Sequence, residues 1–299
     1  SKGDIKMSYI DKLRESANKS GNIVCMGLDP IVSALPGEEK DIRSRIADYF
    51  ATLFKRMRIE GTIPAAFKPN IGYYSSLDRP REEDFSGSLA LVDVLDLLDA
   101  YFPTIPVILD SKRGDIARSS GNYATEAFDA WQADATTVSP YMGTDSVLPF
   151  CKEGKGVYVL NRTSNPGSSD FQARSVIDRI DEREVHPLYT SVAHKIFDWS
   201  KEHPGIGAVV GATNIQELET IASYYAGKNI PLLIPGVGSQ GGSAPDVINA
   251  LKESGYELDL ARINSSSGLT HPWKKAPVPE TYLEDSLCAI HKLIDECAI

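Results

Sequence analysis

The chain has 299 residues, 42% of them hydrophobic and 24% charged, with a formal net charge of −10. That balance supports a substantial buried core and excludes extended disorder. The acidic excess argues against a general nucleic-acid binder, which needs clustered Lys and Arg, but leaves room for a small anionic substrate in a local cationic pocket.

The length is close to the roughly 250 residues of one (β/α)8 barrel. The six residues before Met7, SKGDIK, are either a vector remnant ahead of a native start or part of the chain proper, and no fold argument rests on them. In chain order, eight β-rich segments predict strands: IVCMGL (Ile23 to Leu28), AAFK (Ala65 to Lys68), VILD (Val107 to Asp110), ATTVS (Ala135 to Ser139), VYVL (Val157 to Leu160), IGAVV (Ile206 to Val210), PLLI (Pro231 to Ile234) and LDLARI (Leu258 to Ile263). Amphipathic stretches such as Ile42 to Met57, Ser88 to Tyr101 and Ile215 to Tyr225 fall between them and predict core-packing helices. Asn161 to Glu184, rich in Ser, Asn, Pro and Gly, predicts a long loop that is either disordered or a lid.

Alternating strands and helices predict an α/β protein, and a single-domain (β/α)8 TIM barrel spanning 1–299 is the expected fold. A doubly wound open sheet uses the same alternation. The polar residues favour the barrel: Asp29, Lys68, Asp110, Lys112, Ser164, Gln240 and Ser265 all fall at or just beyond predicted strand C-termini, where barrel enzymes build their sites. Four scattered cysteines without a CxxC pair suit a reducing cytoplasm rather than a disulfide framework. No run approaches the length of a membrane span, and there is no signal-peptide layout.

The densest chemical signal is VILDSKRGDIA, which puts Asp110, Lys112 and Asp115 at one strand end. Alternation along a strand points Asp110 and Lys112 to the same side. A solvated charge cluster is the bland alternative, but the run follows directly on the apolar Val107, Ile108 and Leu109.

DSKRGDI resembles the DxKRGDI signature of the orotidine 5'-phosphate decarboxylases, in particular their longer bacterial branch. GLDP at Gly27 to Pro30, FKPN at Phe67 to Asn70, RTSNPG at Arg162 to Gly167 and PGVGSQGG at Pro235 to Gly242 agree with that family in order and spacing. The resemblance implies a cytoplasmic enzyme of de novo pyrimidine synthesis that converts orotidine 5'-phosphate to UMP with no cofactor and no metal. It implies that Lys68, Asp110, Lys112 and Asp115 form an alternating charged tetrad. Asp115 and Ser119 would reach across a homodimer interface into the neighbouring site. Asp29 is matched to the ribose hydroxyls, Ser164 to the pyrimidine, and Gln240 with Gly241 to a loop that closes over base and phosphate. Neither a nucleic acid nor a membrane is implied as partner.

The chemistry explains these residue types. Loss of CO2 from C6 leaves a carbanion with no adjacent carbonyl to delocalise it, so a cation held at that carbon is the available stabiliser. Lys112 is the candidate, stabilising the charge in a site closed to water and then protonating C6. Lys68 and Asp115 would hold that ammonium. Asp110 would face the departing carboxylate, acting either by repulsion or, as favoured here, by positioning Lys112. Backbone amides of the PGVGSQGG and strand-eight loops would capture the phosphate.

One motif departs from the family: NSSSG at Asn264 to Gly268 stands where the pattern reads NSSRG, so Ser267 occupies the position of a phosphate-binding Arg. This is either natural divergence or a deliberate substitution. Arg262, on the strand, is expected to point elsewhere. Ser119 replaces the usual Thr but keeps the hydroxyl. Two rival functions follow. A metal-dependent sugar-phosphate decarboxylase of the same superfamily would carry a carboxylate at the position of Lys68, and an ammonium cannot ligate a cation. A catalytically weak nucleotide-binding paralogue is suggested by Ser267. The five histidines show no zinc-ligand spacing; His186, His203 and His271 precede Pro and predict loops, whereas His194 and His291 read as helical.

Overall fold

Eight short parallel strands carry the architecture: β1 (Val24–Gly27), β2 (Ala66–Lys68), β3 (Ile108–Arg113), β4 (Ala135–Val138), β5 (Gly156–Arg162), β6 (Ile206–Val210), β7 (Leu232–Ile234) and β8 (Ala261–Ser265). The computed structural model describes residues 6–177 and 184–299; most of SKGDIK and part of the expected Asn161 to Glu184 loop lie outside the described residues. The hydrogen-bonded order is β2-β1-β8-β7-β6-β5-β4-β3. Bridges from Phe67 to Val107 and from Asn70 to Asp110 join β2 to β3, supported by Phe67 N to Pro106 O at 3.0 Å and Asp110 N to Pro69 O at 2.9 Å. The sheet thus comes back on itself as the expected (β/α)8 barrel, and the open-sheet alternative falls away.

Helices separate the strands, and their ends obey local rules. The helix Ile42–Glu60 starts at Asp41, whose carboxylate accepts the Ser44 amide at 3.0 Å, and stops at Gly61 in the left-handed conformation. Among the described residues, no helix is long and apolar enough to cross a membrane.

Inside–outside alternation splits the core in two. Cys25, Ala66, Ile108, Ala135, Tyr158, Val209 and Leu233 fill the barrel interior, while a larger apolar shell packs the helices against the outside. An N-terminal helix α1 (Tyr9–Ser20) closes the bottom by directing Tyr9 and Leu13, one turn apart, onto that interior. Tyr9 and Tyr158 hydroxyls meet at 2.8 Å. Arg262, fully buried, donates to the carbonyls of Leu13 at 2.6 Å, Ala65 at 3.3 Å, Asp259 at 3.1 Å and Ala261 at 2.9 Å. Its guanidinium therefore seals the N-terminal end of the barrel, the end opposite Ser267.

Three local expectations need correction. Leu258–Leu260 form a 3-10 turn, and the last strand is Ala261–Ser265. Alternation of Tyr256, Leu258 and Leu260 imitates a strand there, but Leu260 N bonds Glu257 O and Arg14 holds the Asp259 carboxylate at 2.7 Å. The region after β5 is not wholly irregular, since Ser175–Ile177 and Val185–Pro187 pair as an antiparallel ribbon. His186 consequently lies on a ribbon strand rather than in a loop.

Candidate active site

The interior positions of β2, β3 and β4 continue upward from the apolar layer into Lys68, Asp110 and Thr137, two residues beyond Ala66, Ile108 and Ala135. Asp110 is the hub. Its Oδ2 accepts from Lys68 Nζ at 2.7 Å, and its Oδ1 accepts from Lys112 Nζ at 2.6 Å and Thr137 Oγ1 at 2.8 Å. The Lys68 side chain is 6% exposed and that of Lys112 46%, so one ammonium is locked beneath the site and the other is presented to the cleft.

Burial by itself would raise the Asp110 carboxyl pKa, but the ammonium groups of Lys68 and Lys112 outweigh it and hold Asp110 below the usual carboxylate range. Burial likewise opposes charge on Lys68, yet the Asp110 and Asp29 carboxylates outweigh it and raise the ammonium's pKa. The two buried partners therefore keep each other charged.

Lys112 reaches Asp110 from an irregular backbone. Its φ is +46°, in the left-handed region that non-glycine residues rarely adopt, and β3 loses register against β4 between Leu109 and Arg113. Thr137 Oγ1 receives the amides of Ser111 at 3.1 Å and Lys112 at 2.9 Å across that break. Sequence reading missed Thr137; the TTVS segment offered two strand-compatible threonines and no chemical signal.

Asp115 is placed differently from the other three charged residues of the expected tetrad. Its Oδ1 accepts the Ile116 amide at 2.8 Å, and it makes no ion pair among the described residues. Ser119 is exposed in the next helix, Ala117–Thr125. Neither residue is joined to Asp110 or Lys112 within the chain.

Above the charged layer, Asp29 bridges two loops: Oδ1 accepts the Asn70 amide at 2.9 Å and Oδ2 accepts Ser266 Oγ at 2.7 Å. Gly27 makes this approach possible, since a Cβ there would lie 2.5 Å from Ser266 Cβ. Across the mouth, Ser164 Oγ donates to Gln240 Oε1 at 2.5 Å. Gln172 clamps the adjacent Thr163, accepting its amide and donating to its hydroxyl, both at 2.8 Å. The Gln240 loop turns through Gly241 at φ +93°, where a side chain would be strained.

Two adjoining clefts meet at Lys68, Asp110, Lys112 and Gln240. One, about 270 Å³, extends to Asp29, Ser266 and Ser267; the other, about 430 Å³, extends to Thr137, Leu160, Ser164 and Val209. The first is strongly polar and ends between Ser239 and Gln240 of one loop and Ser266 and Ser267 of the other, room suited to a sugar phosphate. The second has Leu160, Val209 and Leu233 as an apolar wall, suited to a planar ring. Ser267 begins the short helix Ser267–Thr270 and brings a hydroxyl, not a cation, to the polar cleft.

Comparison with known proteins agrees with this geometry. The model of the family described as orotidine 5'-phosphate decarboxylase / HUMPS matches residues 59–257. An orotidine 5'-phosphate decarboxylase of Variovorax paradoxus (strain S110) is 38% identical over 265 residues, covering 87% of this chain and 88% of the relative. The solved OMP decarboxylase of Leishmania donovani superposes with a TM-score of 0.74 at 30% identity over 97% of each chain. The Leishmania donovani UMP synthase structure gives a TM-score of 0.73 at 32% identity, with 96% of this chain matching 56% of that longer one. With its barrel, its Lys68–Asp110–Lys112 arrangement and relatives of this identity along most of its length, the chain belongs to the orotidine 5'-phosphate decarboxylase family.

Proposed function

We propose that this chain catalyses the cofactor-independent decarboxylation of orotidine 5'-phosphate to UMP, acting as one (β/α)8 domain in cytoplasmic pyrimidine synthesis. The observation that carries the reading is a single buried carboxylate, Asp110, holding two ammonium groups of which Lys112 opens into the cleft. As the C6 carboxylate leaves as CO2, the electron pair remains on C6. Lys112 stabilises that charge and transfers a proton to it, so UMP forms with C6–H. Asp110 acts by positioning: both of its oxygens already have donors, and it holds Lys112 where charge develops. Asp29 binds the ribose hydroxyls, Ser164 and Gln240 the pyrimidine, and Gly241 with the Ser267 loop the phosphate. Phosphate binding then helps close the loops over the ring.

The catalytic unit in this reading is a homodimer, with Asp115 and Ser119 donated to the neighbouring site. Supporting it, Asp115 makes no ion pair in its own chain among the described residues, and Ile116, Tyr141 and Met142, exposed at 49%, 84% and 46%, form apolar surface beyond β3 and β4.

The direct test is the fall in pyrimidine absorbance when purified protein meets orotidine 5'-phosphate with EDTA present. Turnover insensitive to EDTA is expected. Turnover that needs a divalent cation would support the metal-dependent rival, and UMP binding without turnover would support the weak paralogue.

Ser267 gives a second expected result. Ser267→Arg should raise kcat/KM for the phosphorylated substrate about ten- to a hundredfold, since a charge-assisted hydrogen bond contributes about 1.5–3 kcal/mol. Arg262 cannot already supply that charge, because its guanidinium is committed to carbonyls at the far end of the barrel. An unchanged or lower kcat/KM would mean that the phosphate is bound without a cation at this position.

A further inference from the structure

We propose that Thr137 is a positioning residue for the decarboxylation step, setting Lys112 through the backbone and through Asp110; the role rests on the function proposed above.

The argument begins with β-sheet register. β3 pairs with β4 at Leu109–Thr136 and again at Arg113–Val138, so four steps along β3 match two along β4. The excess is a bulge containing Asp110, Ser111 and Lys112. Inside it, the amides of Ser111 and Lys112 are bonded by a side chain instead of a β4 carbonyl, and that side chain is Thr137. The hydroxyl has one donor and two acceptor sites. All are used: it accepts both amides and donates to Asp110 Oδ1 at 2.8 Å. It is 1% exposed, so water cannot readily replace it.

Thr136 secures the other face, donating to the Leu109 carbonyl at 2.9 Å and lying 2.9 Å from Ser111 Oγ. The paired threonines thus hold the bulge from both sides, but they differ in consequence. Thr136 contacts Leu109 and Ser111, whereas Thr137 contacts the backbone and the carboxylate that together fix the Lys112 ammonium. An unsupported Lys112 would be free to leave its φ of +46° for the ordinary β region, swinging Nζ away from Asp110. Positioning errors on the scale of an ångström are enough to slow chemistry by about a hundredfold.

Thr137→Val keeps the shape and removes the oxygen; Thr137→Ser keeps the oxygen and removes the methyl. For orotidine 5'-phosphate turnover, valine should lower kcat by about a hundredfold or more, with KM and the Kd for UMP within about threefold of wild type. Serine should hold kcat within about fivefold of wild type. Hydrogen exchange at the Ser111 and Lys112 amides should accelerate in the valine variant and not in the serine variant. The role is overturned if valine leaves kcat within about twofold, or if valine and serine lose kcat and UMP affinity together. A wild-type chain that turns over no orotidine 5'-phosphate would overturn the function and this role with it. An active wild type with an equally active valine variant overturns the role alone.

Discussion

Lys112→Ala should abolish turnover of orotidine 5'-phosphate while the protein still folds and binds UMP. Lys112 is the ammonium presented to the cleft, whereas Lys68 is buried beneath Asp110 and is spatially committed to it. On the proposed mechanism, truncation removes both electrostatic stabilisation of the C6 carbanion and its proton donor. Contributions of about 10²–10³ and 10²–10⁴ from such roles predict a fall in kcat of at least about 10⁴. Folding should survive, because Asp110 keeps Lys68 and Thr137 as partners and is not left as a bare buried charge. Single-turnover absorbance and calorimetric UMP binding separate the two effects. A variant that retains more than about a hundredth of wild-type kcat would transfer the proton-donor role to another group.

Asp115→Ala should also be inactive, yet mixing it with Lys112→Ala under conditions that exchange subunits should restore activity. In a homodimer with Asp115 supplied in trans, one site of each mixed dimer receives an intact Lys112 from one chain and an intact Asp115 from the other. The other site lacks both. Random exchange of equal amounts makes half the dimers mixed, so recovery should reach about a quarter of wild-type activity. Each variant alone should lose roughly a hundredfold or more, because in the proposed dimer each lacks one half of the Asp115–Lys112 pair. If Asp115 acts within its own chain, mixing restores nothing, and the loop carrying Asp115 must rearrange from its present bond to the Ile116 amide.

Much of this protein is written locally. The eight strands recur because β-rich runs of four to six residues alternate with amphipathic stretches, a pattern set by backbone periodicity and readable one window at a time. Strand-end chemistry was legible for the same reason: alternation predicts that Lys68 follows Ala66 inward and Asp110 follows Ile108, and the structure has both pairs in successive interior layers. Asp29, Ser164, Gln240 and Ser267 were found through motifs, and they converge on adjoining clefts.

What escaped depended on neighbours distant in the chain. Helix α1 and Arg262 close the barrel floor through Leu13, but nothing near residue 13 or 262 announces that partnership across 249 positions. Thr137 looked like any β-branched strand residue, and only the register of β4 against a bulged β3 turned its hydroxyl into the support for Lys112. Sequence by itself determined the order of elements and the chemical types at the strand ends, because both are short-range properties of the backbone and side chains. Tertiary structure decided which carboxylate holds which ammonium and which lysine opens to the cleft, because those depend on register, burial and the Coulomb energy between strands that meet only on folding.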